Sequence, residues 1–202
     1  MTNEVEILRR DAWDKAIHSF GKAYIFSKRA EFYNRWIRFV TILGIIVPVT
    51  IGATASGYGF NSEILKHTIA ISIPLTILQL IISVFALVNN WSDYLSYSLE
   101  ATNDYGNLSK AFKKLGKNPP KDIPDLKHQL ELLETKYNSR SDQDSKYGPK
   151  ERELRKGMRY ALREFQRQCI GCKTTPLSVE STDCEVCGNF KRNIIQKLLV
   201  HG

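Results

Sequence analysis

Charge is missing from two long stretches of this sequence: no Asp, Glu, Lys or Arg occurs from Phe39 to Ser62 or from His67 to Ser92, although a quarter of all residues are charged. Two water-facing helices are thereby excluded, leaving a bilayer or a buried core. A hydrocarbon layer of about 30 Å needs roughly 20 apolar residues at 1.5 Å rise, so 39–55 and 68–88 are predicted to be membrane spans. Trp36 and Trp91 flank them, as Trp commonly does where helices leave the hydrocarbon. A pair of buried core helices is the alternative.

Reaction motifs are also missing. The chain has no P-loop, H-E-x-x-H, G-x-S-x-G or dinucleotide fingerprint, and His18, His67, His128 and His201 are scattered. No constellation of carboxylate, His and nucleophile stands out, so no enzymatic activity is expected. Repeats at solenoid periods are absent as well.

Proline is absent and glycine occurs once between Val5 and Ile37, where Trp13, Ala16, Phe20, Ala23, Ala30 and Ile37 follow helical spacing. One long helix is predicted to run into the first span. After the second span, Trp91, Tyr94, Ala101, Tyr105, Leu108, Phe112 and Leu115 repeat the pattern, predicting another continuous helix. A membrane hairpin makes these extensions antiparallel neighbours, able to pair as a coiled-coil stalk or to bury against other subunits.

Lys22, Lys28, Arg29, Arg35 and Arg38 lie near the first span, whereas the loop between the spans offers only Lys66. The excess of basic residues on one side predicts cytoplasmic N- and C-termini. Because 38 polar and mostly amphipathic residues precede the first apolar run, a cleaved signal peptide is not expected. The net charge of +8 suits anionic lipid, nucleic acid or another polyanion without choosing among them.

Pro119, Pro120 and Pro124 predict the end of the stalk, since proline lacks the amide donor. Residues 125–137 read as a short helix, closing a helical domain of residues 1–137, and 138–149 read as a polar linker. A final region, 150–202, holds a basic helix and all four cysteines. The fold class expected is all-α: a two-span hairpin with cytoplasmic helical extensions and a small four-cysteine module.

Those cysteines form two C-x-x-C pairs, Cys169 with Cys172 and Cys184 with Cys187, separated by eleven residues. Such pairs aim four thiolates at one tetrahedral centre, as in structural zinc sites. Disulfides or redox chemistry are the alternatives, the first disfavoured in reducing cytoplasm. A four-thiolate shell has no open position for substrate, so the zinc is expected to be structural. Gly171 and Gly188 are expected to serve tight turns, and the site to hold Asn189–Val200 against the preceding helix.

On that helix Arg152, Arg155, Lys156, Arg159, Arg163 and Arg167 lie on one side, with Leu154, Met158, Ala161 and Phe165 on the other. The basic side is a candidate surface for lipid headgroups, nucleotide phosphates or RNA, or simply a solvated face. In the second span Ser72, Thr76, Gln79, Ser83 and Asn90 share a narrow sector. They are candidates to line a pore in an assembly of copies, or to bond helix to helix. Gly44, Pro48, Gly52 and Ala55 give the first span a small-residue side predicted to meet the second.

The long helix, two close spans, second helix and cysteine tail together resemble a SLATT-type protein over about residues 5–137. The spacing of Cys169, Cys172, Cys184 and Cys187 is similar, residue by residue, to the bacterial mobilome CxxCx(11)CxxC group. That resemblance implies a homo-oligomeric effector in the bacterial inner membrane, serving conflict with phage or mobile elements. It would permeabilise the membrane when an upstream sensor protein or nucleotide signal acts on it. The alternative is a non-conducting anchor whose zinc module recruits a protein or nucleic acid.

Overall fold

The long segment without proline forms one helix, α1 (Thr2–Tyr58), in a computed structural model that describes residues 2–191. It is followed by α2 (Glu63–Val88), α3 (Trp91–Lys117), α4 (Ile123–Gln143) and α5 (Glu151–Glu164), with no strand among the described residues. Two of the five, α1 and α2, are long and apolar enough to cross a membrane. Their most apolar 18-residue windows are 0% and 6% buried, so these segments are not the core of the described fold. Pro48 and Pro74 lie inside them.

The described residues divide into two compact units, 29–97 and 2–28 with 98–191. In 29–97 the chain reverses at Gly59, whose φ of +81° is open to glycine without steric cost. Ser62 then caps α2, its hydroxyl accepting the Leu65 amide at 3.2 Å. Of the small-residue side predicted to meet the second span, Gly44 does so, since a Cβ there would fall 2.6 Å from Gln79 Nε2, whereas a Cβ on Gly52 would meet nothing within 4 Å and Pro48 is exposed. Tyr33 stacks on Tyr94 with ring centroids 5.3 Å apart, and Trp91 meets both Trp36 and Phe85.

The expected continuity from the second span into the next helix is broken. At Asn89 and Asn90 the α-helix stops, and Asn90 adopts φ 50°, a left-handed conformation that Asn tolerates better than most residues. The Asn90 carbonyl then accepts the Tyr94 amide and starts α3.

In the other unit α1 and α3 run antiparallel, as predicted. Arg9 Nε donates to the Gly116 carbonyl at 3.2 Å, Ser109 Oγ to the Ala16 carbonyl at 2.8 Å, and Phe26 stacks on Tyr105. They do not form a two-helix stalk, because α4 and α5 complete a bundle around them. The expected short helix 125–137 extends to Gln143, and the linker read at 138–149 is largely structured. Arg140 is 4% exposed and pairs with Asp104 at 3.3 Å. Asp144, also buried, takes Lys22 Nζ at 3.2 Å and the Tyr105 hydroxyl at 2.6 Å. Lys22 further donates to Tyr105 and Ser141, each at 3.0 Å. Burial and the Asp144 carboxylate hold the Tyr105 phenol protonated far above its usual range.

The crossing of α5 over α1 depends on two glycines. A Cβ on Gly157 would lie 2.6 Å from the Gly21 carbonyl oxygen, and one on Gly21 would lie 3.0 Å from Gly157 backbone. Without side chains between them the helices approach until Tyr24 and Tyr160 stack at 3.9 Å. Gly157→Ala should therefore destabilise by about 1–3 kcal/mol through overpacking, although alanine is the better helix former. A lowered melting midpoint in thermal unfolding is the expected reading; an unchanged or raised midpoint would contradict the close crossing.

Candidate metal centre

Helix α5 ends where Gln166 turns left-handed, at φ 51°, and the Arg167 amide bonds back to the Leu162 carbonyl at 2.9 Å. The reversal brings Cys169 onto the bundle. Each C-x-x-C segment then closes on itself: the Lys173 amide donates to the Cys169 carbonyl at 2.8 Å, and the Gly188 amide to the Cys184 carbonyl at 2.7 Å. Equivalent closures make the two loops facing half-shells. All four Sγ atoms lie within 4.8 Å of one another, with Cys169 to Cys184 and Cys172 to Cys187 each at 3.9 Å.

Those distances bear on what the sulfurs can hold. A disulfide needs about 2.05 Å, whereas a tetrahedral shell with zinc–sulfur bonds of about 2.3 Å puts neighbouring sulfurs about 3.8 Å apart. The four cysteines are free thiols with the spacing of a metal-binding cluster. Their acidities differ. Hydrogen bonding from Thr174, whose hydroxyl is 3.1 Å from the sulfur, lowers Cys172 to about 6. The backbone at Cys187 and Val186 lowers Cys184. Burial pushes Cys187 upward, and the neighbouring thiols add to this. A cation at the centre would reverse that cost by offsetting the crowded thiolates.

The cluster is seated on a core. Cys169 and Cys187, both 1% exposed or less, join Ile17, Ala161 and Leu162, with Phe20, Met158 and Phe165 packed around them. Of the apolar side read on α5, Met158, Ala161 and Phe165 pack at the cluster, while Leu154 is exposed. Both glycines lie in turns, as expected, without a positive φ. Gly188 also permits close approach: a Cβ there would lie 2.0 Å from Thr182 Oγ1. Asn189 contacts the cluster through its amide, which donates to Cys184 at 2.8 Å. Residues 192–200, the remainder of the segment expected to be held there, lie outside the described residues.

Residues 9–190 match the family described as Mobilome CxxCx(11)CxxC protein. The chain belongs to that family. The match runs from α1 to the last loop of the cysteine cluster and takes in all four cysteines. No curated protein and no solved structure matches the chain.

The six basic residues proposed for a polyanion face are not one surface in this family member. Arg159 is 7% exposed and turns inward, donating to the Ser178 carbonyl at 2.9 Å and approaching Cys187 Sγ at 3.8 Å. Arg155 pairs with Glu185 at 2.9 Å, Arg163 with Glu164, and Arg167 lies over the Trp13 ring. Arg152 and Lys156 are exposed. In the second span, Ser72 is buried, Thr76, Gln79 and Ser83 are half-buried on the side where Gln79 meets α1, and Asn90 is exposed at the helix break.

Arg159 was missed as a support of the cluster because helical spacing places it among solvent-facing arginines. Thr174, Ser181 and Thr182 were missed too, although five of the eleven residues between the cysteine pairs carry hydroxyls. Ser181 Oγ donates to the Gly188 carbonyl and accepts the Phe190 and Lys191 amides. Four thiolates leave excess negative charge around a divalent ion, and Arg159 is placed to offset it. With zinc as probe ion, Arg159→Ala should weaken binding by about 10–100-fold, the usual cost of losing a group that orients a ligand. Arg152→Ala should leave it unchanged. Competition with a chromophoric chelator measures both; equal effects would remove Arg159 from the centre.

Proposed function

We propose that the protein is a two-span anchor in the bacterial inner membrane, with both termini cytoplasmic, whose clasped helical unit recruits a partner. The observation that carries this reading is the inward direction of the polar row on α2. Gln79 rests over Gly44, while Ile71, Ile77, Leu78, Ile81 and Val84 remain exposed around it. A hairpin that satisfies its polar groups internally and offers hydrocarbon outward suits residence in lipid without conduction. The basic residues of α1 that precede its apolar part support the orientation.

In this reading the metal is zinc and its role is structural. Four cysteines complete the shell, so the ion has no free position for a substrate, and we assign the site no reaction. The ion would tie the loops after α5 to the bundle, keeping the partner-binding surface in one shape.

A second reading retains the polar row as its support. Ser72, Thr76, Gln79 and Ser83 are more polar groups than a passive span needs, and the likeness to SLATT-type proteins points to an effector. Several copies, on an upstream signal, would then repack α2 so that this row lines a water-filled path. The two readings separate on membrane potential. Induced expression in bacteria, with a voltage-sensitive dye, should leave the potential intact for the native chain under the anchor reading. Collapse of the potential that Gln79→Leu abolishes would favour the permeabilising effector and displace the anchor.

A further inference from the structure

Between α1, α3 and α5 lies an open cavity of about 450 Å³, within the range of about 300–1,000 Å³ usual for small-molecule sites. Its wall is aromatic. Phe20 and Tyr24 contribute from α1, Tyr160 and Phe165 from the α5 side, and all four are half-buried, with surface left to offer. The rings of Phe20 and Tyr24 lie within 5° and 15° of parallel to Tyr160. Ala23 is the one aliphatic residue of the wall among the described residues. Such a lining suits a flat π-system better than an acyl chain.

The rim is cationic. Lys110 and Lys113 are exposed, and no carboxylate among the described residues pairs with either. Lys113 Nζ lies 5.2 Å from the centre of the Phe165 ring, joining charge to the aromatic wall. The carboxylate in the lining, Glu164, is taken by Arg163 at 2.5 Å. The floor has a further feature. Gly106 sits in the middle of α3, where glycine weakens a helix, and a Cβ there would meet nothing within 4 Å. Helix packing does not call for a glycine at this position, but it keeps the cavity open.

We propose that this cavity binds a nucleotide, its base against the Tyr24 and Tyr160 wall and its phosphates at Lys110 and Lys113. Aromatic faces with nearby basic groups are the pairing by which bases and phosphates are held together in single-strand sites. The inference does not require the anchor reading, since every residue of the cavity belongs to the bundle unit.

The full chain in zwitterionic-lipid nanodiscs, titrated calorimetrically with AMP, GMP and ATP, tests it against adenosine, inorganic phosphate and tripolyphosphate. At least one nucleotide should bind, and at least tenfold more tightly than adenosine or either phosphate probe. Gly106→Leu should fill the cavity and abolish binding while the melting midpoint holds. Should that variant fail to fold, Lys110→Gln with Lys113→Gln must still weaken binding at least tenfold. No nucleotide binding at millimolar concentration would overturn the proposal. So would tripolyphosphate binding as tightly as ATP, which marks a mere polyanion patch, or affinity indifferent to the lysine pair.

Discussion

Four sulfur atoms within 4.8 Å of one another impose the constraint on which the bundle unit depends. Thiolates that close repel, and Cys187 is buried where its charged form is disfavoured. The loops from Cys169 to Lys191 contain no helix or strand to hold them in place. They are held by the sulfur cluster on one side, by the Ile17, Ala161 and Leu162 core on the other, and by Arg155 and Arg159 of α5, which reach Glu185 and the Ser178 carbonyl. A bound cation converts the sulfurs from mutually repelling groups into the centre of that core, which is why the proposed zinc belongs to the fold.

The same unit shows charge used internally. Lys22, Asp144 and Tyr105 form a buried hydrogen-bonded group linking α1, α3 and the end of α4, and Arg140 joins α4 to Asp104. Isolated charges in such positions would be costly, but paired and bonded they fix which helix faces which. The Gly21 and Gly157 crossing acts in the same direction by a different means, admitting only one close approach of α5 to α1.

Much of this was legible from periodicity and spacing. Charge-free stretches mark α1 and α2 as apolar enough to span a bilayer, and the paired C-x-x-C segments pick out the four thiols that come together in one cluster. Less legible were residues whose chemistry depends on a distant partner. Arg140 and Asp144 read as linker polarity until Asp104, Lys22 and Tyr105 supply their partners. Arg159 reads as surface charge until the loop from Cys169 to Cys187 folds over it. Asn90 carries a helix break that no proline or glycine announces. Each reflects a tertiary contact overriding a local pattern.

Native mass spectrometry of the full chain, released from detergent under reducing and chelator-free conditions, tests the central claim most directly. One zinc per chain is the result expected, with removal of the ion lowering the melting midpoint of the bundle. A metal-free chain with an unchanged midpoint, or one carrying two disulfides among Cys169, Cys172, Cys184 and Cys187, would contradict the metal clasp.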